Sequence, residues 1–315
     1  MRILLLSFLF FSANSHAQTN WKNIDSHYGE LPSSFHVYES KDSVNGKPNI
    51  MYYAIASLNS PDLIFTSDTT LNRRLTPAQY LKKNDSALLV VNAGFFSFAT
   101  NRNLNTVVLD GKLVAINEQS IREHGADSNK YFHSFFGTFG IMKNNRPDIA
   151  WTFSDSSAGI LYAAQKPVPF IVSDRAAFTR KDLMKIHHAR FKKWKVETAV
   201  GGGPVLVQNG EVRVTNNEER KFYGKAIYDR HPRTAIGYTK NNEIVIFVCE
   251  GRSDSAAGLT LPQMAKILKD IGCVEALNLD GGGSTCMLVN GLPVNTPSSK
   301  GIERAVPSVF MIKQK

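Results

Sequence analysis

Asp280 stands immediately before Gly281, Gly282 and Gly283, with Ser284 and Thr285 behind. Three glycines leave a carboxylate in an open loop, where another molecule can approach the backbone closely. Glu250-Gly251-Arg252 is a second carboxylate with an arginine two residues on, and His231-Pro232-Arg233-Thr234, Asn92 and Arg304 complete the set. Paired carboxylates suit general acid–base work or attack at a sugar carbon. Arginine forks and bare backbone N–H groups, here those of Gly282 and Gly283, suit a phosphate. The spacing therefore nominates Asp280 and Glu250 as catalytic carboxylates. Asn92, Arg233, Thr234, Arg252, Gly282, Gly283, Ser284 and Arg304 are the substrate-binding candidates. Ser284 is read as a hydrogen-bond donor, because no histidine lies in a motif that would activate it as a nucleophile. His231 is an acid–base candidate, or the extended lead-in to a strand that His-Pro favours.

These residues need strand ends to carry them. Residues 243–249 are a continuous apolar run, 260–271 is the best helix in the chain, and 274–279 is apolar again. Thr260 with Gln263 makes a capping box, and Gly272 stops the helix. A strand–helix–strand succession predicts parallel strands with a right-handed crossover, which would deliver Glu250, Arg252 and Asp280 to one sheet edge. The expected fold class is α+β or mixed α/β: a mixed sheet core with helices, several β-hairpins and at least one parallel strand–helix–strand unit. Further strands are expected at 50–58, 62–65, 87–91, 197–200 and 235–238, and a capped helix at 76–83. Asp110-Gly111 and Asn209-Gly210 read as type I′ hairpin turns. GGGPVLVQNGEV and GGGSTCMLVNGLPV share one plan, which predicts two similar hairpins meeting at one place.

The first seventeen residues read as a secretory signal, with Arg2, an apolar core over 3–11 and Ser15-His16-Ala17. Residues 18–49 read as an N-terminal extension and 50–315 as the functional domain. No apolar run is long enough to span a bilayer, so a soluble, exported protein is expected, periplasmic or extracellular. The formal charge of +10, or +9 without Arg2, favours anionic partners, and export makes nucleic acid the least suitable of them. A basic segment at about 165–198 looks like an insertion, either a cationic helix for a membrane or acidic glycan, or a solvated face. Cys249, Cys273 and Cys286 are too few for a disulfide framework. GxxxxGK[ST], GxSxG, HExxH and an EF-hand loop are absent from the sequence.

NAGFF at 92–96, GGGPVLVQNG at 201–210, HPRTAIG at 231–237, EGR at 250–252, GLTLPQMAKIL at 258–268, NLDGGGST at 278–285 and ERAVPS at 303–308 occur in the order of the phosphodiester glycosidase domain. The chain resembles that family, which includes the lysosomal uncovering enzyme, over roughly residues 50–315. The resemblance implies a mixed α/β core and an exported hydrolase that breaks the bond between a sugar's anomeric carbon and a phosphodiester phosphate. EGR stands where the family usually has DGR, and NLNTVVLDG lacks the glycine-rich approach expected before the 110–111 turn. Two other functions compete. One is a non-catalytic module binding phosphorylated or acidic glycans. The other is a phosphodiesterase breaking P–O, with a Ca²⁺ or Mg²⁺ on Asp280 and backbone carbonyls. No cofactor is required by the sequence.

Overall fold

The computed structural model describes residues 19–85 and 87–315. The expected signal segment lies outside the described residues. Among these, no helix is long and apolar enough to cross a membrane.

Antiparallel sheets make up most of the regular secondary structure. An eight-stranded sheet has at its centre, in spatial order, Phe35–Ser40, Met51–Ser57, Glu243–Cys249, Arg233–Thr239, Cys273–Asn278 and Val205–Gln208. A seven-stranded sheet is built around Pro147–Asp155, Phe136–Ile141 and Thr198–Gly201. A five-stranded sheet centres on Met287–Val289, Ala87–Asn92 and Ser308–Gln314. A three-stranded sheet joins Ser120–Arg122, Tyr131–His133 and Ile171–Ser173.

The expected parallel strand–helix–strand unit is not present: every strand pairing among the described residues is antiparallel, and the fold is predominantly β. Glu243–Cys249 and Cys273–Asn278 are not neighbours, because Arg233–Thr239 lies between them and pairs with both. The cause is local. Asn242, in the left-handed region at φ 62°, folds Arg233–Thr239 back on Glu243–Cys249 as a hairpin. Met51–Ser57 takes the other edge, which leaves no edge for the strand after the helix. That strand pairs instead on the far side of the hairpin. Both flanking strands run opposite to the one between, so their carboxyl ends still leave the sheet on the same side.

The helix itself forms as its caps dictate. Thr260 and Gln263 exchange capping-box hydrogen bonds, and Gly272 ends Leu261–Ile271 at φ 108°. Its buried face of Leu261, Met264, Ala265 and Leu268 packs with Val245, Phe247 and Cys249. The alternate residues Ile244, Ile246 and Val248 enter the main core with Leu277, Trp151 and Phe310. Two buried faces explain the unbroken apolar run in this strand. Each large side chain so placed contributes about 1.5–3 kcal/mol. Gly137 is required where two sheets close on each other: a Cβ there would stand 2.6 Å from Leu277 Cδ1.

Asp110-Gly111, Asn209-Gly210 and Asn290-Gly291 all have positive φ at both positions, as type I′ turns demand. The two GGG hairpins fall in different sheets, Val205–Gln208 in the eight-stranded and Met287–Val289 in the five-stranded one. All three cysteines are free and buried. Phe35–Ser40 pairs with Met51–Ser57, so part of the region before residue 50 belongs to the sheet core. In the basic segment only Arg180–Leu183 is α-helical, so of the two readings the cationic helix is not the one the fold adopts.

Candidate active site

Strand ends of the three large sheets meet at one point. The Asp280 N–H donates to Ala93 C=O at 3.0 Å and the Gly203 N–H to Asn278 C=O at 2.8 Å. Asn92, fully buried, fixes the junction. Its Nδ2 donates to Asp280 C=O at 2.6 Å, and its Oδ1 accepts from Thr234 Oγ1 at 2.9 Å and the Cys286 N–H at 3.2 Å. Asn92 and Thr234 therefore hold the Asp280 loop from behind. They are placed to position it and are closed off from a ligand on its open side.

The Asp280 carboxylate is short of donors. It accepts from the Gly281 N–H at 3.0 Å and is close enough to Ser284 for that side chain to stabilise its charge. Burial pushes the carboxyl up to about 6, while Ser284, Gly281, Arg304 and Lys221 favour the ionised form. Of the nominated N–H groups, that of Gly282 donates to Pro232 C=O at 2.8 Å. Gly282 is in the left-handed region at φ 61°, and a Cβ there would meet the Arg252 guanidinium at 3.0 Å. A Cβ on Gly283 would collide with the Arg304 guanidinium. The bare loop thus lets two arginines close over it.

Arg304 Nη1 lies 3.4 Å from Ser284 Oγ, and its guanidinium is 5.3 Å from the Phe98 ring. Phe98 is 63% exposed, an open apolar face at the rim. Arg252 stands exposed, in the left-handed region at φ 66° without being glycine. Such strain is retained where the surroundings impose it, commonly at functional sites. Its Nη2 is 3.3 Å from His231 Nδ1, and burial lowers the pKa of that imidazole.

Arg233 and Glu250 are engaged differently. Arg233 is buried, with Nε donating to Leu259 C=O at 2.9 Å and Nη2 to Asp229 C=O at 2.7 Å. Glu250 accepts from the Thr296 N–H at 2.6 Å. Burial raises its pKa, and Glu39 and Lys41 are the charged groups acting on it. The structure gives it no hydrogen bond to the Asp280 loop.

Lys221 was not among the sequence candidates. Its ammonium sits 4.0 Å from the Phe95 ring centre and 4.5 Å from that of Phe136, with Asn105 Oδ1 at 3.4 Å. Burial lowers it to about 8, against the attraction of Glu219 and Asp280. Its two predecessors pin it. Glu219 is fully buried and accepts from Thr215 Oγ1 (2.6 Å), Val205 N–H (2.9 Å), Gly137 N–H (3.0 Å) and Trp151 Nε1 (3.1 Å). Arg220 forms a bidentate pair with Glu123, its guanidinium 4.5 Å from the Phe132 ring and 4.9 Å from that of Phe170. In the sequence, Lys221 is one charge in a polar run with no motif. Its only signal is the aromatic pair Phe222-Tyr223 behind it.

Among the described residues, no three His, Cys, Asp or Glu side chains group as a metal site would. The charged neighbours of Asp280 are Lys221 and Arg304, a donor set that suits an anion better than Ca²⁺ or Mg²⁺.

The phosphodiester glycosidase family profile matches residues 153–313, more than half of the chain. The chain belongs to the phosphodiester glycosidase family. Mouse N-acetylglucosamine-1-phosphodiester alpha-N-acetylglucosaminidase is 30% identical over 101 residues, which is 30% of this chain and 19% of the mouse protein. The prophage-derived uncharacterized protein YomE of Bacillus subtilis is 41% identical over 83 residues, 26% of this chain and 13% of its own length. The chain thus aligns with less than a fifth of each of these relatives. Among solved structures, the catalytic domain of the zebrafish alpha-N-acetylglucosaminidase superposes with a TM-score of 0.59 at 20% identity, covering 95% of this chain and 89% of that one. A Synechocystis protein gives 0.62 at 15% identity, covering 94% and 64%. These likenesses show a shared fold. Lys221, Arg252, Asp280 and Arg304 all fall inside the matched span, whereas Asn92, Phe95 and Asn105 come from outside it.

Proposed function

We propose that the chain is an exported hydrolase that cleaves the bond between a sugar's anomeric carbon and the phosphate of a phosphodiester. The observation that carries this reading is the underdonated carboxylate of Asp280, set beside a caged Lys221 in a loop that two arginines close over. In this reading Arg252 and Arg304 grip the phosphate, Arg304 also holding Ser284, and Phe98 offers its face to the sugar or the aglycone. Ionised Asp280 faces the anomeric carbon and stabilises positive charge growing on the ring, by attack or by positioning water. Phosphate leaves readily, so one essential carboxylate suffices. Lys221 keeps Asp280 charged and neutralises the departing phosphate. Asn92 and Thr234 hold the loop, and Glu250 secures the neighbouring chain through Thr296. Export rests on the amino-terminal signal pattern alone.

Screening sugar 1-phosphodiesters with the purified mature chain tests the proposal. Release of free reducing sugar from at least one of them is expected. Binding without turnover across the whole panel would favour the glycan-binding alternative.

A further inference from the structure

A second group of cations lies away from the Asp280 site and has no part in the proposed reaction. Residues 166–195 carry nine Lys and Arg against two Asp, so +7 of the formal +10 sits in this stretch. Two strand pairings tie it to the fold: Ile171–Ser173 with Tyr131–His133, and Lys192–Lys193 with residues 162–163. Its last third closes over a cavity of about 610 Å³ lined by Lys166, His188, Arg190, Lys192, Lys193 and Trp194. None of the four Lys and Arg has an ion-pair partner among the described residues.

The cavity is shaped as well as charged. The carboxylate in its wall, Asp148, is already committed, accepting from Gln165 Nε2 at 2.8 Å and Trp194 Nε1 at 2.9 Å. That bond orients the indole. Gly140 makes room for it, since a Cβ there would come within 2.6 Å of Trp194 Cη2. Arg190 keeps a left-handed backbone at φ 48° without glycine. The four Lys and Arg are all exposed at the cavity rim, and unpaired cations clustered at one rim raise the local positive potential and favour an anion there. A fixed indole with a polar N–H adds the amphipathic face that sugars pack on.

The strand Phe136–Ile141 connects the two places. The Phe136 ring touches Lys221, and Met142, just beyond the other end, lines the cavity. Six steps along an antiparallel strand span about 20 Å. We infer that this cavity is an accessory site for an anionic glycan, gripping a second phosphate-bearing stretch of the polymer whose phosphodiester enters the Asp280 site. The identity of the polymer rests on the proposed function; the cation cavity does not. A lipid surface is the weaker fit, because it is flat and asks for apolar side chains that insert beside the cations.

The test is binding of yeast phosphomannan, neutral mannan and phosphatidylglycerol vesicles to the full chain at two salt concentrations. The comparison is with the double variant Lys192→Ala/Lys193→Ala and with Arg190→Gly, whose backbone already suits glycine. Wild type is expected to bind phosphomannan over neutral mannan, more weakly at high salt. Both variants should lose at least tenfold in affinity while keeping their melting temperature and their rate on a single-unit sugar phosphodiester. Unchanged binding in the variants, equal binding of neutral mannan, or preference for vesicles would each overturn the inference. Salt-sensitive phosphomannan binding with no turnover of any sugar 1-phosphodiester in the panel would leave the accessory site standing and remove the proposed reaction.

Discussion

Two carboxylates act on Lys221, the buried Glu219 and the half-buried Asp280, and their surroundings differ in kind. Glu219 accepts four hydrogen bonds from the protein and is sealed from solvent. Asp280 accepts one from the backbone beside it, with Ser284 near and two cations acting on it. Burial raises both carboxyls, so the shift alone does not separate them. Satisfaction does: a carboxylate with all its acceptor sites filled is part of the scaffold, and one left short has capacity for a substrate.

The largest effects should come from removing each charge. Asp280→Asn is expected to lower kcat by on the order of a hundredfold or more, with no loss of melting temperature above pH 6. The unfolded carboxyl ionises near 3.8 and the folded one near 6. Between those values the folded state holds the extra proton, so stability falls as pH rises, and the Asn variant escapes that loss. Glu219→Gln should do the reverse, costing roughly 3 kcal/mol because an amide donor faces donors in a closed space. Melting temperature and kcat on both variants check the contrast.

Next in size is the phosphate grip. Arg252→Lys should lower kcat/KM by about thirtyfold, nearly as much as Arg252→Ala, since a point charge lacks the planar fork. A lysine variant with most of its activity would make Arg252 a mere charge. The pH profile comes next. Activity should rise through about pH 6 as Asp280 ionises and fall above about pH 8 as Lys221 loses its proton. Lys221→Met should abolish the upper limb and move the lower one to higher pH, because Lys221 favours the ionised Asp280. An unmoved lower limb would separate the two groups. The smallest effect belongs to Glu250→Gln, expected within about threefold in kcat, its cost appearing in thermal stability through Thr296. A hundredfold loss there would return Glu250 to the chemistry.

The parts of the site that local patterns encode were legible in the sequence. Asp280 before three glycines, Thr260 with Gln263, and the Asn-Gly and Asp-Gly turns are short-range signals, and each has a backbone conformation to match. Strand order is not short-range. Nothing in residues 243–279 says that Arg233–Thr239 occupies the place between its neighbours, so the parallel unit was misread although the shared edge survived. Residues 231–234 carry no sign that the Arg233 guanidinium turns inward to the carbonyls of Leu259 and Asp229. Lys221 was illegible for the same reason. Its place depends on Phe95, Asn105 and Phe136, more than eighty residues away in sequence, and on Glu219 and Arg220 being pinned first.

The central claim is that this site breaks the sugar carbon–oxygen bond. Hydrolysis of a turned-over sugar phosphodiester in ¹⁸O-water reads it directly. The account predicts the label in the anomeric hydroxyl of the released sugar, with the phosphate unlabelled. Label in the phosphate would mean P–O cleavage and would contradict it.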